Sequence, residues 1–587
     1  MRIEDAEGRV VWDMEAYSFV DAAAPESANP SLWRQAQLLG IHGLFEVCPG
    51  IFQVRGFDLS NMHLIEGERG VIVADPLIST ETAAAALALY RRHRGDRPVT
   101  GLIYSHSHID HFGGARGVVS GADVESGDIP VLAPSGFLEH AVSENVYAGT
   151  AMARRAAYMY GAVLEPGAAG QLTAGLGPTT STGSVSLLPP TVEIIESGQE
   201  EVIDGVRFRF QLTPGTEAPS EMNFYLPDTQ TLFIAENASH TMHNTLTLRG
   251  ALVRDPRIWA HYLDETIAEY GAEATTLFAC HHWPIWGTER IVDYLSKQRD
   301  LYAYIHDQTL RMINRGLTGA EIAEQFELPP SLDQAWHCRG YYGSVSHNVK
   351  AVYQRYMGWF DGNPAHLWQH PAVEASTRYV EFMGGAEATL EKARRSFEDG
   401  DYRWVAEVVN HVVFAEPDNA AALELQAATL ERLGLGAENA TWRNFFLTGA
   451  KELREGSQGT PTTTVADDFV ANLSLDHLFD ALAIRIDGPR AWEERFSIRW
   501  DIDDHCHVTR LENGVLNHRA ARPDEDVSAD ATIVIARSDL NDALLGTAPL
   551  PELFASGQIR IEGDGAKLGV LMGLLDSPDP DFEIVKP

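Results

Sequence analysis

The sequence predicts an α/β chain in three parts: a layered α/β domain, an all-α domain of helical hairpins, and an α+β domain at the C-terminal end. Three observations carry this. Over the first three hundred residues short apolar strands alternate with helices. From about residue 300 the apolar positions recur at helical spacing, and after a polar stretch rich in Gly, Pro and Thr the strand-like alternation returns. At 587 residues the chain exceeds what one core organises, since domains run at about 100 to 200 residues.

Residues 51–54, 61–66 and 71–75 read as strands separated by Gly and polar turns, followed by a helix over 80–94 that Gly95 ends. The apolar run 99–104 is a buried strand, and residues 207–213, 223–226, 231–235 and 276–279 read as later strands. Helices over 390–397 and 420–433, broken at Gly400-Asp-Tyr402 and Pro417-Asp-Asn419, resemble a tetratricopeptide-type hairpin. One or two hairpins cannot form a long solenoid, so their apolar faces must be covered by the rest of the chain or by a second subunit. The final part reads as a helix over 475–486, strands over 494–502, 507–512, 515–519 and 532–536, a helix from Ser538, a strand over 558–562 and a helix over 567–575. The predicted division is 1–304, 305–455, a linker 456–463, and 464–587.

Composition excludes several function classes. With 45 basic against 83 acidic residues the net charge is −38, which repels nucleic-acid phosphates and anionic membrane surfaces. The four cysteines, Cys48, Cys280, Cys338 and Cys506, lie far apart and imply neither a disulfide framework nor a zinc ribbon. No run reaches the roughly 18 apolar residues of a membrane span, and the first 30 residues lack a signal-peptide core. The chain as written reads as cytoplasmic, or as periplasmic or secreted if a leader has been removed.

The strand over 99–104 runs directly into Ser105-His-Ser-His-Ile-Asp-His111. His106, His108, Asp110 and His111 are four metal-competent side chains within six residues, at a strand end where α/β layers place chemistry. Core packing does not account for so many polar groups in one place. Gly-rich residues 167–183 lack the Lys-Ser/Thr of a phosphate loop and read either as a loop over the site or as an insert.

The motif, with the following Gly113-Gly114, resembles the HxHxDH signature of the metallo-β-lactamase superfamily, which implies a four-layer αββα sandwich using one or two metals. Within it the chain resembles the alkylsulfatases over nearly its whole length. The motifs are Asn29-Pro-Ser-Leu-Trp-Arg-Gln-Ala36, Thr213-Pro-Gly-Thr-Glu-Ala-Pro-Ser-Glu221, Ala235-Glu-Asn237, Thr247-Leu-Arg-Gly250, His281-His-Trp-Pro284, His347-Asn-Val-Lys350 and Tyr356-Met-Gly-Trp-Phe-Asp361. The resemblance implies a helical dimerisation domain, hence a homodimer, and a sterol-carrier-like C-terminal domain with an apolar cavity. It implies two zinc ions per chain, one on His106, His108 and Glu217, the other on Asp110, His111 and His281, with Glu236 shared. His282 is read as supporting His281.

The implied reaction is hydrolysis of alkyl sulfate esters, detergents among them, to alcohol and inorganic sulfate, with attack at carbon. Arg249 is expected to pair the sulfate and Asn244 to donate to it. His243 or His240 is the proton donor, with His243 favoured, and Tyr160 is expected to line the substrate tunnel. Two alternatives stay open: a related binuclear hydrolase acting on a lactam, thioester or phosphodiester, and a non-catalytic lipid-binding protein with a relic metal site.

Overall fold

The structure is a computed structural model that describes residues 1–461, 467–522 and 525–587. The end of the predicted linker and the start of the predicted third domain fall at 462–466, outside the described residues. The chain divides into two compact units, one of Met1–Phe137, Ala151–Thr462 and Pro580–Pro587, the other of Leu138–Thr150 and Thr463–Asp579.

The first unit is built on two sheets. The seven-stranded one runs in chain order through Gly43–Cys48, Ile51–Arg55, Met62–Glu66, Val71–Ala74, Val99–Ile103, Val131–Pro134 and Val192–Ile194, antiparallel at first and parallel from Val71 on. The six-stranded one runs through Glu200–Ile203, Val206–Leu212, Met222–Leu226, Thr231–Phe233, Thr276–Phe278 and Ile285–Trp286. Their inner faces share one core, in which Ile51, Ile65, Ile72, Ile103 and Leu132 of the first meet Phe208, Phe210, Phe224, Phe233 and Phe278 of the second. Each fully buried aromatic or branched side chain there contributes about 1.5 to 3 kcal/mol.

Helices close both outer faces. Thr80–Arg94 buries Ala83, Ala86, Leu87 and Tyr90, carries four basic residues in its last turn, where they complement the helix dipole, and stops at Gly95, whose φ of 92° a side chain would resist. On the other face Pro256–Tyr270 and Thr288–Ile313 pack Trp259, Leu263, Ile291 and Leu295 against Leu232, Ile234 and Leu277. This is the αββα sandwich the sequence predicted. Thr288–Ile313 runs unbroken across residue 304, so the all-α region grows out of a helix of the sandwich.

Beyond it, helices Ala372–Phe382, Ala386–Glu398, Tyr402–Ala415, Ala420–Gly436 and Ala440–Glu455 share a core of Val405, Val409, Val412, Leu390 and Leu453. The C-terminal tail belongs to this unit: Val585 joins that core, Arg154 Nε donates to the Phe582 carbonyl at 2.9 Å, and Thr460 Oγ1 donates to the Pro580 carbonyl at 2.8 Å. Residues 167–183 are not a loose insert. Leu172, Ala174 and Leu176 are buried, and Ser181 Oγ donates to the buried Asp58 at 2.6 Å.

The second unit holds a five-stranded sheet in the order Val515–Ala520, His505–Glu512, Phe496–Ile502, Ala531–Ile535, Arg560–Gly563, with Phe496–Ile502 and Ala531–Ile535 parallel. Phe479, Trp500, Ile533 and Leu571 lie in its core. The helix expected from Ser538 is Arg537–Leu545, and a short helix Leu550–Ala555 that the sequence reading missed follows it. A groove of about 430 Å³ is lined by Leu473, Leu475 and Ile502, but also by Asp476, Asp503, His505, His507 and Arg537. Among the described residues no helix is long and apolar enough to cross a membrane, and all four cysteines are unpaired.

Candidate metal centre

Strand Val99–Ile103 ends in the core, and the chain after it is held from both sides. Met222 N donates to the Ser105 carbonyl at 2.9 Å, and His106 pairs with Glu221 across the gap between the sheets. A single turn, Ile109–His111, then swings Asp110 and His111 back toward His106. The turn lies hard against residues 76–78: a Cβ on Gly113 would stand 2.2 Å from the Ile78 carbonyl, and one on Gly114 2.1 Å from that of Pro76. Only glycine allows this approach.

Glu217 arrives from the turn after Val206–Leu212, and Glu236 from the segment after Thr231–Phe233, directly behind Ala235, whose φ of 46° is strained for a residue with a side chain. His281 follows Thr276–Phe278. The outcome is two neighbouring groups, His106, His108, Glu217 and Glu236 in one and Asp110, His111 and His281 in the other, with the ligand-capable atoms of each group within 4.8 Å of one another. Glu217 Oε2 lies 2.8 Å from His108 Nδ1 and 3.4 Å from His106 Nε2. Glu236 Oε2 lies 3.5, 3.4 and 3.3 Å from the Nε2 atoms of His106, His111 and His281, so it touches both groups.

His106 and the three carboxylates are held in the protonation state that ligation needs. Burial, then the charge of His111, pushes His106 down to about 3, so its ring is neutral. Burial works to raise Asp110, Glu217 and Glu236, but neighbouring cationic side chains outweigh it and hold all three low: His111 for Asp110, at about 2, Arg254 and His108 for Glu217, and His281 for Glu236. His111 and His281 are raised despite their burial by the carboxylates Asp110 and Glu236 respectively. A third cluster of His106, His111 and Cys280 is chemically unsuited, because burial and the charge of Asp75 push the Cys280 thiol well up and it donates to Asp75 Oδ2 at 3.0 Å.

A metal fits this set. The Nε2 atoms of His106, His111 and His281 and Glu217 Oε2 are buried and make no hydrogen bond of acceptable geometry, although charged partners stand around them. Four such atoms converging in one core would be costly unless an ion completes them.

Of the other expected residues, His243 is at the centre: its Nε2 donates to Glu236 Oε1 at 2.9 Å, and its ring lies 4.8 Å from that of Tyr342. Tyr342 in turn shares a 3.2 Å hydroxyl contact with Tyr160, which feels the charges of Arg249, Asp110 and Glu236. His240 is not brought to Glu236. It stacks on Trp283 and its Nε2 meets the Trp283 carbonyl at 3.0 Å, three positions along the chain from His243 and turned to different partners. Asn244 Oδ1 accepts from Arg254 at 2.6 Å, while its Nδ2 and the Thr245 hydroxyl are buried with no hydrogen-bond partner. Arg249 Nη1 donates to the Gly250 carbonyl at 3.2 Å.

Arg254 escaped the sequence reading. Its guanidinium grips both a carboxylate oxygen and the backbone carbonyl of Glu217 as well as Asn244. No local pattern marks it. Asn348, inside His347-Asn-Val-Lys350, pins the same segment: it donates to the His243 carbonyl at 2.9 Å and accepts from Thr245 N at 3.0 Å.

Known families match most of the chain. Residues 55–281 match the metallo-beta-lactamase superfamily, 318–456 the alkyl sulfatase dimerisation family, and 463–587 the alkyl sulfatase C-terminal family. The chain is 52% identical to a linear primary-alkylsulfatase of a Pseudomonas species, over 100% of this chain and 87% of that one. It is 47% identical to an (R)-specific secondary-alkylsulfatase, also from Pseudomonas, over 100% and 89%. The solved structure of a stereoselective inverting sec-alkylsulfatase, Pisa1 from Pseudomonas, superposes with a TM-score of 0.95 at 47% identity, over 100% of this chain and 93% of that one. On whole-length identity and on its fold, the chain belongs to the alkylsulfatase family of the metallo-β-lactamase superfamily.

Proposed function

We propose that the chain hydrolyses alkyl sulfate esters to an alcohol and inorganic sulfate, using two zinc ions. His106, His108 and Glu217 would hold one, and Asp110, His111 and His281 the other, with Glu236 shared. The observation that carries this is the single oxygen Glu236 Oε2 within 3.5 Å of three unbonded imidazole nitrogens drawn from both groups. Imidazole nitrogen and carboxylate oxygen are a zinc donor set. When bound, the ions supply Lewis acidity and a nucleophile available at neutral pH. The relatives named as alkylsulfatases support the substrate class.

The chain's own residues handle the anion. A sulfate ester entering among Asp110, Glu217 and Glu236 needs donors, and the buried, unpartnered Asn244 Nδ2 and Thr245 Oγ1 supply them beside Arg254, with Arg249 a second guanidinium. Water oxygen bonds to carbon, the carbon–oxygen bond breaks, and its electron pair leaves on the sulfate. One water proton stays on the alcohol and the other departs with hydrogen sulfate. Attack at carbon avoids an approach to three negatively polarised oxygens, and dispersing charge on the leaving group lowers the barrier. His243, holding a proton against Glu236, is the donor beside that group. The alkyl chain would lie along Met159, Tyr160, Leu248 and Tyr342, which form one apolar cluster.

The helical region supports a homodimer: Trp359, Trp368 and Phe382 are 73%, 96% and 92% exposed, an apolar surface that a second copy would cover. The sheet of the second unit supports a sterol-carrier-like reading of that part.

Sulfate release from linear and branched alkyl sulfates, before and after chelation and beside a panel of lactams and phosphodiesters, tests the assignment. Release that chelation abolishes is expected. A zinc-loaded chain that cleaves only a lactam or phosphodiester overturns it.

A further inference from the structure

Glu221 is fully buried and forms no ion pair among the described residues, yet its carboxylate is surrounded by donors. Oε2 accepts from Thr216 Oγ1 at 2.6 Å, Glu217 N at 3.1 Å and Ala218 N at 3.2 Å. Oε1 accepts from Asn237 Nδ2 at 2.8 Å and Glu236 N at 3.3 Å. Four N–H groups and the Thr216 hydroxyl converge on this one carboxyl group, and the same hydroxyl stands 2.6 Å from the Thr213 carbonyl. Its backbone is equally placed: the Glu221 carbonyl accepts from Thr213 N at 2.9 Å, and the residue pairs with His106.

We propose that Glu221 is a positioning residue for the metal centre, one side chain that sets the backbones carrying Glu217 and Glu236 together and ties both to the strand end that carries His106. This rests on the reading of that centre as a metal site. The two glutamates come from different loops, 19 positions apart in sequence, and nothing in either loop alone fixes the distance between them. Each has its own amide bonded to a different oxygen of the same carboxylate, so the loops share one anchor. Asn237 stiffens it, its amide also reaching Thr213 Oγ1 at 3.1 Å.

The test compares zinc affinity, measured by competition with a chromophoric chelator, in the wild-type chain and in Glu221→Gln, Thr216→Val and Glu452→Gln. Glu221→Gln turns an acceptor into a donor facing donors, and about a 10- to 100-fold loss of zinc affinity is expected. Thr216→Val removes one donor to Glu221 at nearly constant volume and should lose about 5-fold, the worth of one hydrogen bond. Glu452, a buried acid of the same unit bonded to Arg154 at 2.7 Å, controls for general destabilisation: Glu452→Gln should lower Tm and leave zinc affinity at the wild-type value. Wild-type affinity in folded Glu221→Gln overturns the proposal, as does wild-type affinity in Thr216→Val if Glu221→Gln does not fold. A wild-type chain that takes up no zinc overturns the metal reading itself, and this one with it.

Discussion

Asp75 Oδ2 lies 3.1 Å from His111 Nδ1 and accepts its proton. The bond fixes the ring of His111 with Nε2 turned into the site, 3.0 Å from Asp110 and 3.4 Å from Glu236. Asp75 also accepts from Ser105 N at 2.8 Å and Ser105 Oγ at 2.7 Å, and Ser105 Oγ contacts His106 Nδ1 at 3.0 Å, so it orients both ends of the motif. Asp75→Asn should therefore lower metal affinity about 10- to 100-fold while the fold survives. Zinc titration followed by circular dichroism checks this, and unchanged affinity would remove Asp75 from the argument.

Asp110→Ala should reduce bound zinc from about two ions per chain to about one and abolish turnover, because Asp110 belongs to only one of the two groups. Elemental analysis after dialysis gives the count. Full activity in this variant would sink the binuclear reading.

Hydrolysis in oxygen-18 water should place the label in the alcohol. Label confined to sulfate would mean attack at sulfur, leaving the sulfatase assignment intact and the proposed bond cleavage wrong.

Trp368→Asp combined with Phe382→Asp should convert a dimer into a 64.5 kDa species in light scattering at micromolar concentration. These side chains are almost fully exposed in the single chain, so the substitutions cost little stability there and act where a partner would sit. A wild-type chain that is already 64.5 kDa contradicts the dimer.

Much of the sandwich was legible because local chemistry and tertiary position agree. The run Val71–Ala74 is apolar on both faces and is buried on both, and the helix over 80–94 begins and ends where its sequence says. The cluster at His106 was legible because the four side chains are contiguous. What could not be read depends on register between distant strands. Glu221 looks like any acid in a turn until the pairing of residues 213 and 221 brings two loops to it, and Arg254 reaches Glu217 across 37 positions with no periodicity to announce it. His240 and His243 are equivalent as letters, and the layer each faces separates them.

The tail at 580–587 changes what a truncation means. A stop codon placed after residue 461 would take away the carbonyl that Arg154 grips and the Val585 side chain in the helical core, so lost activity would be wrongly charged to the missing sheet. Thr460 and Pro580 are in direct contact within the first unit. A chain with 461 spliced to 580 keeps that contact and the tail, and it is the variant in which a change in chain-length preference is not confounded by loss of residues 580–587.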